Sequence, residues 1–554
     1  MSQIDPVFAA VTAPGTPFAL VEQDGLLQFA QAAPDLGIMI DHARRHGDKT
    51  FLVDYSADGA ERRLTFEQVF AWRDELAAML DIRRGDRVAI CMRNRAEWIV
   101  AFMAVIKAGG VAALLNSRGS PAELAAMIAE VTPEVVLADS RRAALIREGG
   151  YKGRMLDLTR PFEAEEIARR CGGAPAPTPA TPLDPAAILF TSGTTGRVKG
   201  AVLTHRSLIT GLMLMQLSGT MVLHNMARAH GMEPAQLVAA MPQQAVLLVY
   251  PLFHISGLGA AFLSPLFAGS KVVIMRRWDA EEAARLIAAE GITMFSAVPT
   301  MLWDLLHRAK PGATDLTSLR NIASGGQALP VNLLDAIRDV CPQAVMGTGY
   351  GMTEASGSLA QAVGEDFLRK RSSAGRVLPL AQVRIVAPDG TGQSEGQSGE
   401  IQLKGAMVMA GYWNRPEDTA AAFTADGWLR TGDVGYVDEE GYIFIVDRVK
   451  DMVISGGENI YCAEVERALG ELPGLGECAA FGIPDERLGE LLVAVVRGDG
   501  LEEQQVKDWV GERLARYKAP GHVAIVASPL VRNHVGKVDK IALRAAWPKL
   551  YGGQ

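Results

Sequence analysis

The sequence predicts an α/β fold. A large N-terminal region of several subdomains carries mixed, mostly parallel sheets covered by helices, and a small α+β C-terminal region follows. Three observations predict this. The chain has 554 residues, too many for one hydrophobic core, so two or more domains are expected. From Leu27 to about Pro175, helical stretches alternate with short apolar strands, as in a parallel sheet with helices on its faces. A second alternating pattern begins at Met452, just after the charged run Asp447-Arg448-Val449-Lys450-Asp451.

The elements follow in order. Met1 to Pro17 contains Asp5 and has neither a basic start nor a long apolar core, so no signal peptide is expected there. Phe66 to Leu80 is amphipathic at helical spacing. Arg87 to Cys91 reads as a strand, and Glu97 to Ala108 as a helix stopped by Gly109-Gly110. Val111 to Leu115, Pro121 to Glu130 and Val135 to Leu137 repeat strand, helix, strand. Gly172 to Pro185 is rich in Pro, Ala and Thr and reads as a surface connection. Ala186 to Phe190 is a buried strand. Ser207 to Ala227 carries no charge and has the length of a membrane span, but it holds Gln216, His224, Asn225 and two glycines; a buried helix is expected. Ala239 to Ser270 is also uncharged, and Pro242, Pro251 and His254 break it into buried strands and turns. Tyr442 to Val446 is the strand before the charged run. In the small region, helices fit Ala463 to Leu469 and Glu503 to Arg516; strands fit Ala479 to Ile483, Leu491 to Val496 and His522 to Ile525.

Composition narrows the function. Hydrophobic residues make up 49% and charged residues 21%, which is globular. A net charge of −8 disfavours nucleic acid and anionic membranes as partners. Cys91, Cys171, Cys341, Cys462 and Cys478 are scattered without a CxxC pair, which fits reduced thiols in a cytosol and not a disulfide framework or zinc site.

The chemistry starts at Thr191-Ser192-Gly193-Thr194-Thr195-Gly196-Arg197-Val198-Lys199-Gly200, which follows the strand ending at Phe190. Its glycines let backbone approach a polyphosphate, its hydroxyls and amides can bond phosphate oxygens, and Lys199 adds positive charge. It lacks the Gly-x4-Gly-Lys-Ser/Thr order of a Walker A loop. With Thr204-His205 behind it, the loop resembles the phosphate loop of acyl-adenylate-forming enzymes, the AMP-dependent synthetases and ligases: acyl-CoA synthetases, peptide-synthetase adenylation domains and firefly luciferases. The family usually has proline at the Val198 position, where it stiffens the loop.

Further motifs carry the resemblance in the family's order, over about Leu64 to Arg544. Pro251-Leu252-Phe253-His254 matches the Pro-Leu-Phe-His motif, implying that His254 sits beside the acyl carboxylate. Ser324-Gly325-Gly326-Gln327 matches the turn that lies against adenine. In Gly349-Tyr350-Gly351-Met352-Thr353-Glu354 the resemblance implies that Tyr350 stacks on adenine, Thr353 meets the α-phosphate and Glu354 holds Mg²⁺. Trp428-Leu429-Arg430-Thr431-Gly432-Asp433 implies ribose binding by Asp433. Arg448 is implied to contact the nucleotide. Lys450 is implied to be the hinge between an adenylation domain, residues 1–448, and a mobile domain, residues 449–554. Ser455, Gly456 and Gly457 are implied to help form the thiol tunnel. Lys537, after Gly536, is implied to bridge the acyl carboxylate and α-phosphate. The acyl pocket of the family falls here on His254, Ser256, Gly257, Ala260, Ser324, Gly325, Gly349 and Gly351.

The implied reaction uses ATP, Mg²⁺ and CoA: a small carboxylic acid attacks the α-phosphorus of ATP, and a thiol then attacks the acyl adenylate. Two anions must approach in the first step, so Lys199, Lys537, Thr353 and Mg²⁺ on Glu354 are expected to neutralise charge. No acid follows His254 in Ile255-Ser256-Gly257-Leu258-Gly259-Ala260-Ala261, which disfavours an amino-acid substrate. Small pocket walls and nearby Met213, Met215, Met221 and Met226 favour a medium- or long-chain fatty acid, with an aryl or alicyclic acid as the alternative. A luciferase-like enzyme, a non-CoA adenylating enzyme and a non-catalytic relative are weaker alternatives. A P-loop kinase is disfavoured by the missing Walker A. A serine hydrolase is disfavoured because Gly392-Gln393-Ser394-Glu395-Gly396 is polar and follows no apolar strand. The expected protein is cytoplasmic, able to sit peripherally on a membrane but without an integral span, and a homodimer is compatible with the resemblance.

Overall fold

The computed structural model describes residues 6–55, 61–159, 180–192, 198–308, 315–325, 331–387, 389–448, 451–455, 458–532 and 537–551. The first alternating stretch pairs as a parallel sheet. Arg87–Cys91 lies between Val111–Leu114 and Val135–Ala138, Met155–Asp157 extends one side, and Pro185–Ser192 joins beside Val111–Leu114. Val198–Thr204 and the short strand Gly411–Tyr412 close the other edge antiparallel, giving seven strands among the described residues. Local chemistry fixes the helices. Phe66–Leu80 opens with a Thr65–Gln68 capping box and Pro121–Val131 with a Ser120–Glu123 box. Ala96–Lys107 is apolar nearly all round because it is sandwiched between this sheet and a second one; Trp98 stacks on Phe102 at 5.8 Å and Phe262 meets both rings edge-on.

The second sheet has nine strands among the described residues. Thr50–Tyr55, Lys271–Ile274, Ala245–Leu248, Met294–Ala297, Asn321–Gly325 and Val345–Met352 run parallel. Glu61–Thr65, Gly357–Val363 and Arg376–Val377 run antiparallel at its edges. Segments leaving the carboxyl ends of these parallel strands, including Tyr250, Ser324 and Thr353, line one long cleft, where ligands bind in open α/β sheets. A four-stranded antiparallel sheet follows, ordered Gln382–Val386, Gly399–Lys404, Leu429–Val437, Ile443–Arg448.

Among the described residues, the C-terminal region forms a five-stranded sheet with a core on each face. Period-two alternation divides them. Ala480, Leu492, Ala494 and Val496 face the helices Cys462–Gly470 and Glu503–Arg513, while Ala479, Phe481, Val493 and Val495 face Lys540–Tyr551 through Leu543 and Trp547.

The structure departs from the sequence reading in three places. Ala239 to Ser270 holds one strand, Ala245–Leu248, and then turns helical over Ser256–Leu263, a wide π-type helix, and Ser264–Ala268. Ala260, Ala261, Phe262 and Leu263 carry no β-branch and suit a helix, while Gly257 and Gly259 weaken it locally and are held by the surrounding packing. The helix that holds the uncharged stretch runs His205–Ala229, with Arg206 and Arg228 at its ends, and is long and apolar enough to cross a membrane. It is buried mainly in its first half, through Leu217, with Ala227 buried again near its end; from Met215 on, one side of it borders the cleft. The helix Lys540–Tyr551, with Pro548 inside it, had no periodic signal strong enough to announce it.

Candidate functional site

The phosphate-loop segment is a hairpin pressed against the end of the parallel sheet. Thr191 pairs with Lys199 and Ser192 with Val198. Gly193, Thr194, Thr195 and Gly196 lie between them, outside the described residues, as does the side chain of Ser192. Behind the hairpin, Thr204 caps the long helix through a reciprocal bond with Ser207. Buried His205 accepts a hydrogen bond from the Leu36 amide through Nδ1 at 3.0 Å. Burial holds its imidazole below the usual histidine range, although Asp35 and Asp184 pull the other way. Lys199 Nζ lies 2.5 Å from Asp418 Oδ1 and 5.3 Å from the centre of the Tyr412 ring.

The next wall is built from adjacent parallel strands, with Ser324 opposite Thr348 and Gly325 opposite Gly349. Gly351 is dictated by packing: a Cβ there would lie 2.1 Å from the Gly357 carbonyl oxygen. Tyr350 follows Gly349, and its hydroxyl donates to Asp433 Oδ2 at 2.6 Å. Asp433 is placed by the Thr431-Gly432 turn. Thr431 Oγ1 accepts from the Asp433 amide and donates to the Ile401 carbonyl, and Gly432 takes φ +71°. Met352 leads into the single turn Thr353–Ala355, where Glu354 is buried; its Oε1 accepts from the Tyr412 hydroxyl at 3.0 Å. Burial, then the Glu354 charge, pushes the Tyr412 phenol well above the usual range, so its proton stays in place for that bond.

Thr191, Lys199, His254, Ser256, Ala260, Ser324, Gly325, Gly349, Tyr350, Gly351, Met352, Thr353, Glu354, Asp433 and Lys537 all line the same cleft. Gly257 is a correction: it does not wall the pocket. It is buried, and a Cβ would sit 2.1 Å from the Pro251 carbonyl oxygen, so its glycine serves the tight turn into the helix. Ser455 is likewise not among the cleft residues. Gly326, Gln327, Lys450, Gly456 and Gly457 lie outside the described residues, as does the side chain of Arg448.

Lys537 reaches the cleft from the C-terminal region, on the segment before the helix Lys540–Tyr551, beside the five-stranded sheet. That sheet is tied to the preceding strand by Asp447, whose Oδ2 accepts from the Ala463 amide at 3.1 Å in the first turn of Cys462–Gly470. Sequence reasoning missed Asp418, Tyr250 and, on the cleft face of the long helix, Ser218, Gly219, Val222 and Leu223, whereas Met215 and Met226, which it named, do line the cleft. Neither Tyr412, in Gly411-Tyr412-Trp413, nor Asp418, in Pro416-Glu417-Asp418, stands in a pattern that marks it as functional. Burial pushes the Tyr250 hydroxyl up to about 12 against a hydrogen bond with Ser296, so it remains a neutral group in the wall.

The chain is similar to known proteins along most of its length. The sequence profile of the AMP-binding enzyme family matches residues 40–413, and that of the AMP-binding enzyme C-terminal domain matches residues 464–537. The chain belongs to the AMP-binding enzyme family. It is 34% identical to the long-chain-fatty-acid–CoA ligase FadD13 of Mycobacterium tuberculosis over 502 residues, 88% of this chain and 94% of the relative. It is 35% identical to a methyl-dioxo-octahydroindenyl-propanoyl:CoA ligase of Rhodococcus jostii, over 91% of this chain and 96% of that one. Among solved structures, ATP-bound MatB from Rhodopseudomonas palustris superposes with a TM-score of 0.77 at 29% identity, covering 92% of this chain and 99% of that chain. The chain is an AMP-forming acid–thiol ligase, and the use of ATP and CoA follows from the family.

Proposed function

We propose that this ligase activates a medium- or long-chain fatty acid as its acyl adenylate and passes the acyl group to CoA. One observation supports the reading above others. Lys199, Thr353, Glu354, the Tyr350–Asp433 pair and Lys537 open on one cleft, whose other end is walled by small or flexible apolar residues. The nucleotide would lie with adenine on Tyr350 and the Ser324-Gly325 turn and ribose on Asp433. Lys199 and Lys537 would face its phosphates and the acyl carboxylate near His254. Mg²⁺ takes one or two carboxylates, phosphate oxygens and water. Glu354 fits that demand, and no cage of three or more His, Cys, Asp or Glu residues gathers among the described residues. Bound Mg²⁺ would neutralise phosphate charge. Arg448 would add a nucleotide contact, Lys450 would be the hinge between residues 1–448 and 449–554, and Ser455, Gly456 and Gly457 would border the thiol path.

A second reading rests on a different observation. Ser324 Oγ, on a residue 2% exposed, and Gln361 Oε1 are buried without a hydrogen-bond partner among the described residues, and both residues line the cleft. Such atoms favour an acid that carries polar ring substituents, an aryl or alicyclic acid. Pyrophosphate release across straight-chain acids from acetate to stearate, together with aryl and keto-bearing alicyclic acids, separates the two. An optimum at acetate or propionate defeats both, and ADP release in place of pyrophosphate defeats the adenylation route.

A further inference from the structure

Two residues outside the proposed catalytic set hold two residues inside it. Lys199 extends from the edge strand Val198–Thr204 and meets Asp418 at 2.5 Å, on the first turn of the short helix Pro416–Ala422. That helix is joined to the strand Gly411–Tyr412, which pairs with Lys199's own strand; Tyr412 stands opposite Ala201. Lys199 and Ala201 share a strand face, so the Tyr412 ring lies under the lysine, 5.3 Å away. The Tyr412 hydroxyl then reaches the other way and donates to Glu354 Oε1 at 3.0 Å, while its backbone amide is fixed by Thr419 Oγ1 at 2.9 Å. Asp418, Lys199, Tyr412 and Glu354 all border the cleft, so these contacts form at the place where a triphosphate would lie.

We propose that Asp418 and Tyr412 are positioning residues of the nucleotide site: Asp418 holds Lys199 back until phosphate competes for it, and Tyr412 fixes the orientation of the Glu354 carboxylate toward a metal-bound phosphate. The inference rests on the assignment of Lys199 and Glu354 to ATP and Mg²⁺ made above. Asp418 acts against nucleotide in two ways of the same sign. It occupies the lysine, and its own charge repels phosphate. The Tyr412 hydroxyl acts on the metal form alone, because it bonds the Glu354 carboxylate, whereas the ring under Lys199 is kept when only the hydroxyl is removed.

Equilibrium dialysis of the full chain with MgATP, and with ATP in EDTA, tests both halves without turnover. Asp418→Asn should lower Kd about threefold to tenfold for both nucleotide forms, and Asp418→Glu should restore the wild-type value. Tyr412→Phe, which keeps the ring, should raise Kd about threefold to tenfold for MgATP and leave metal-free ATP unchanged. If Asp418→Asn binds ATP no more tightly, or Tyr412→Phe weakens both forms alike or neither, the positioning roles fall while adenylation stands. If the wild-type chain binds no ATP, adenylation itself falls, and the positioning roles with it.

Discussion

Gly259 measures the acyl pocket most directly. It is buried in the helix Ser256–Leu263 and lines the cleft, yet a Cβ built there meets nothing within 4 Å. Packing does not require glycine at that point, and glycine inside a helix costs about 1 kcal/mol relative to alanine. What the missing side chain leaves is room. Gly259→Leu adds a four-carbon side chain and should remove space for about four methylenes of substrate. At about 0.8 kcal/mol per buried CH₂, kcat/KM for acids that fill the wild-type pocket should drop about fourfold per displaced carbon, on the order of 200-fold in all. Acids short enough to stop before Gly259 should be unaffected. Gly259→Ala should raise the melting temperature and leave the preferred length within one carbon. The assay is pyrophosphate release at subsaturating acid, from acetate to stearate. An unchanged length optimum in Gly259→Leu would refute the pocket assignment. A uniform loss over all lengths would do the same, by showing that the leucine disturbs His254 and not the chain.

Lys537→Ala should slow adenylate formation by a factor on the order of 100 or more while leaving thioester formation from preformed adenylate nearly intact; equal losses in the two half-reactions, measured by rapid quench, would remove its role. Stability should fall with acid through His205. Burial depresses its native pKa below the unfolded value of about 6.5, so the unfolded chain takes up a proton that the native chain refuses, and stability declines from about pH 6.5 downward through the native pKa. His46, which burial also shifts down, adds to the same slope. Urea titrations between about pH 5 and 8 should show a flatter profile for His205→Asn, and an identical profile would exclude His205 as a source.

The parts of the molecule that were legible in sequence are those set by local rules. Phe66–Leu80, Arg87–Cys91 and His522–Ile525 occupy the ranges read from periodicity, because each buries one face or both in a regular sheet or bundle. The nucleotide wall was legible as motifs because glycines such as Gly351 and Gly432 answer to close backbone approach or positive φ. What was hidden depends on tertiary geometry. Gly257 and Gly259 look alike in sequence, yet one is clamped against a carbonyl and the other faces a void. Asp418 and Lys199 are brought together only when the strand Gly411–Tyr412 pairs at the sheet edge. The long helix is mostly apolar, and its polar residues Gln216, His224 and Asn225 fall in the part that borders the cleft without marking where packing ends.

The two cores of the C-terminal sheet are drawn wholly from residues at or after Val453 among the described residues. That unit brings its own oil with it. Swinging it away from the rest of the molecule would wet none of those clusters. The recorded tie at Asp447 and the Ala463 amide is one that water can replace on both sides. If the unit turns about the junction proposed near Lys450, both of its cores would stay covered, and Lys537 would move with an intact body.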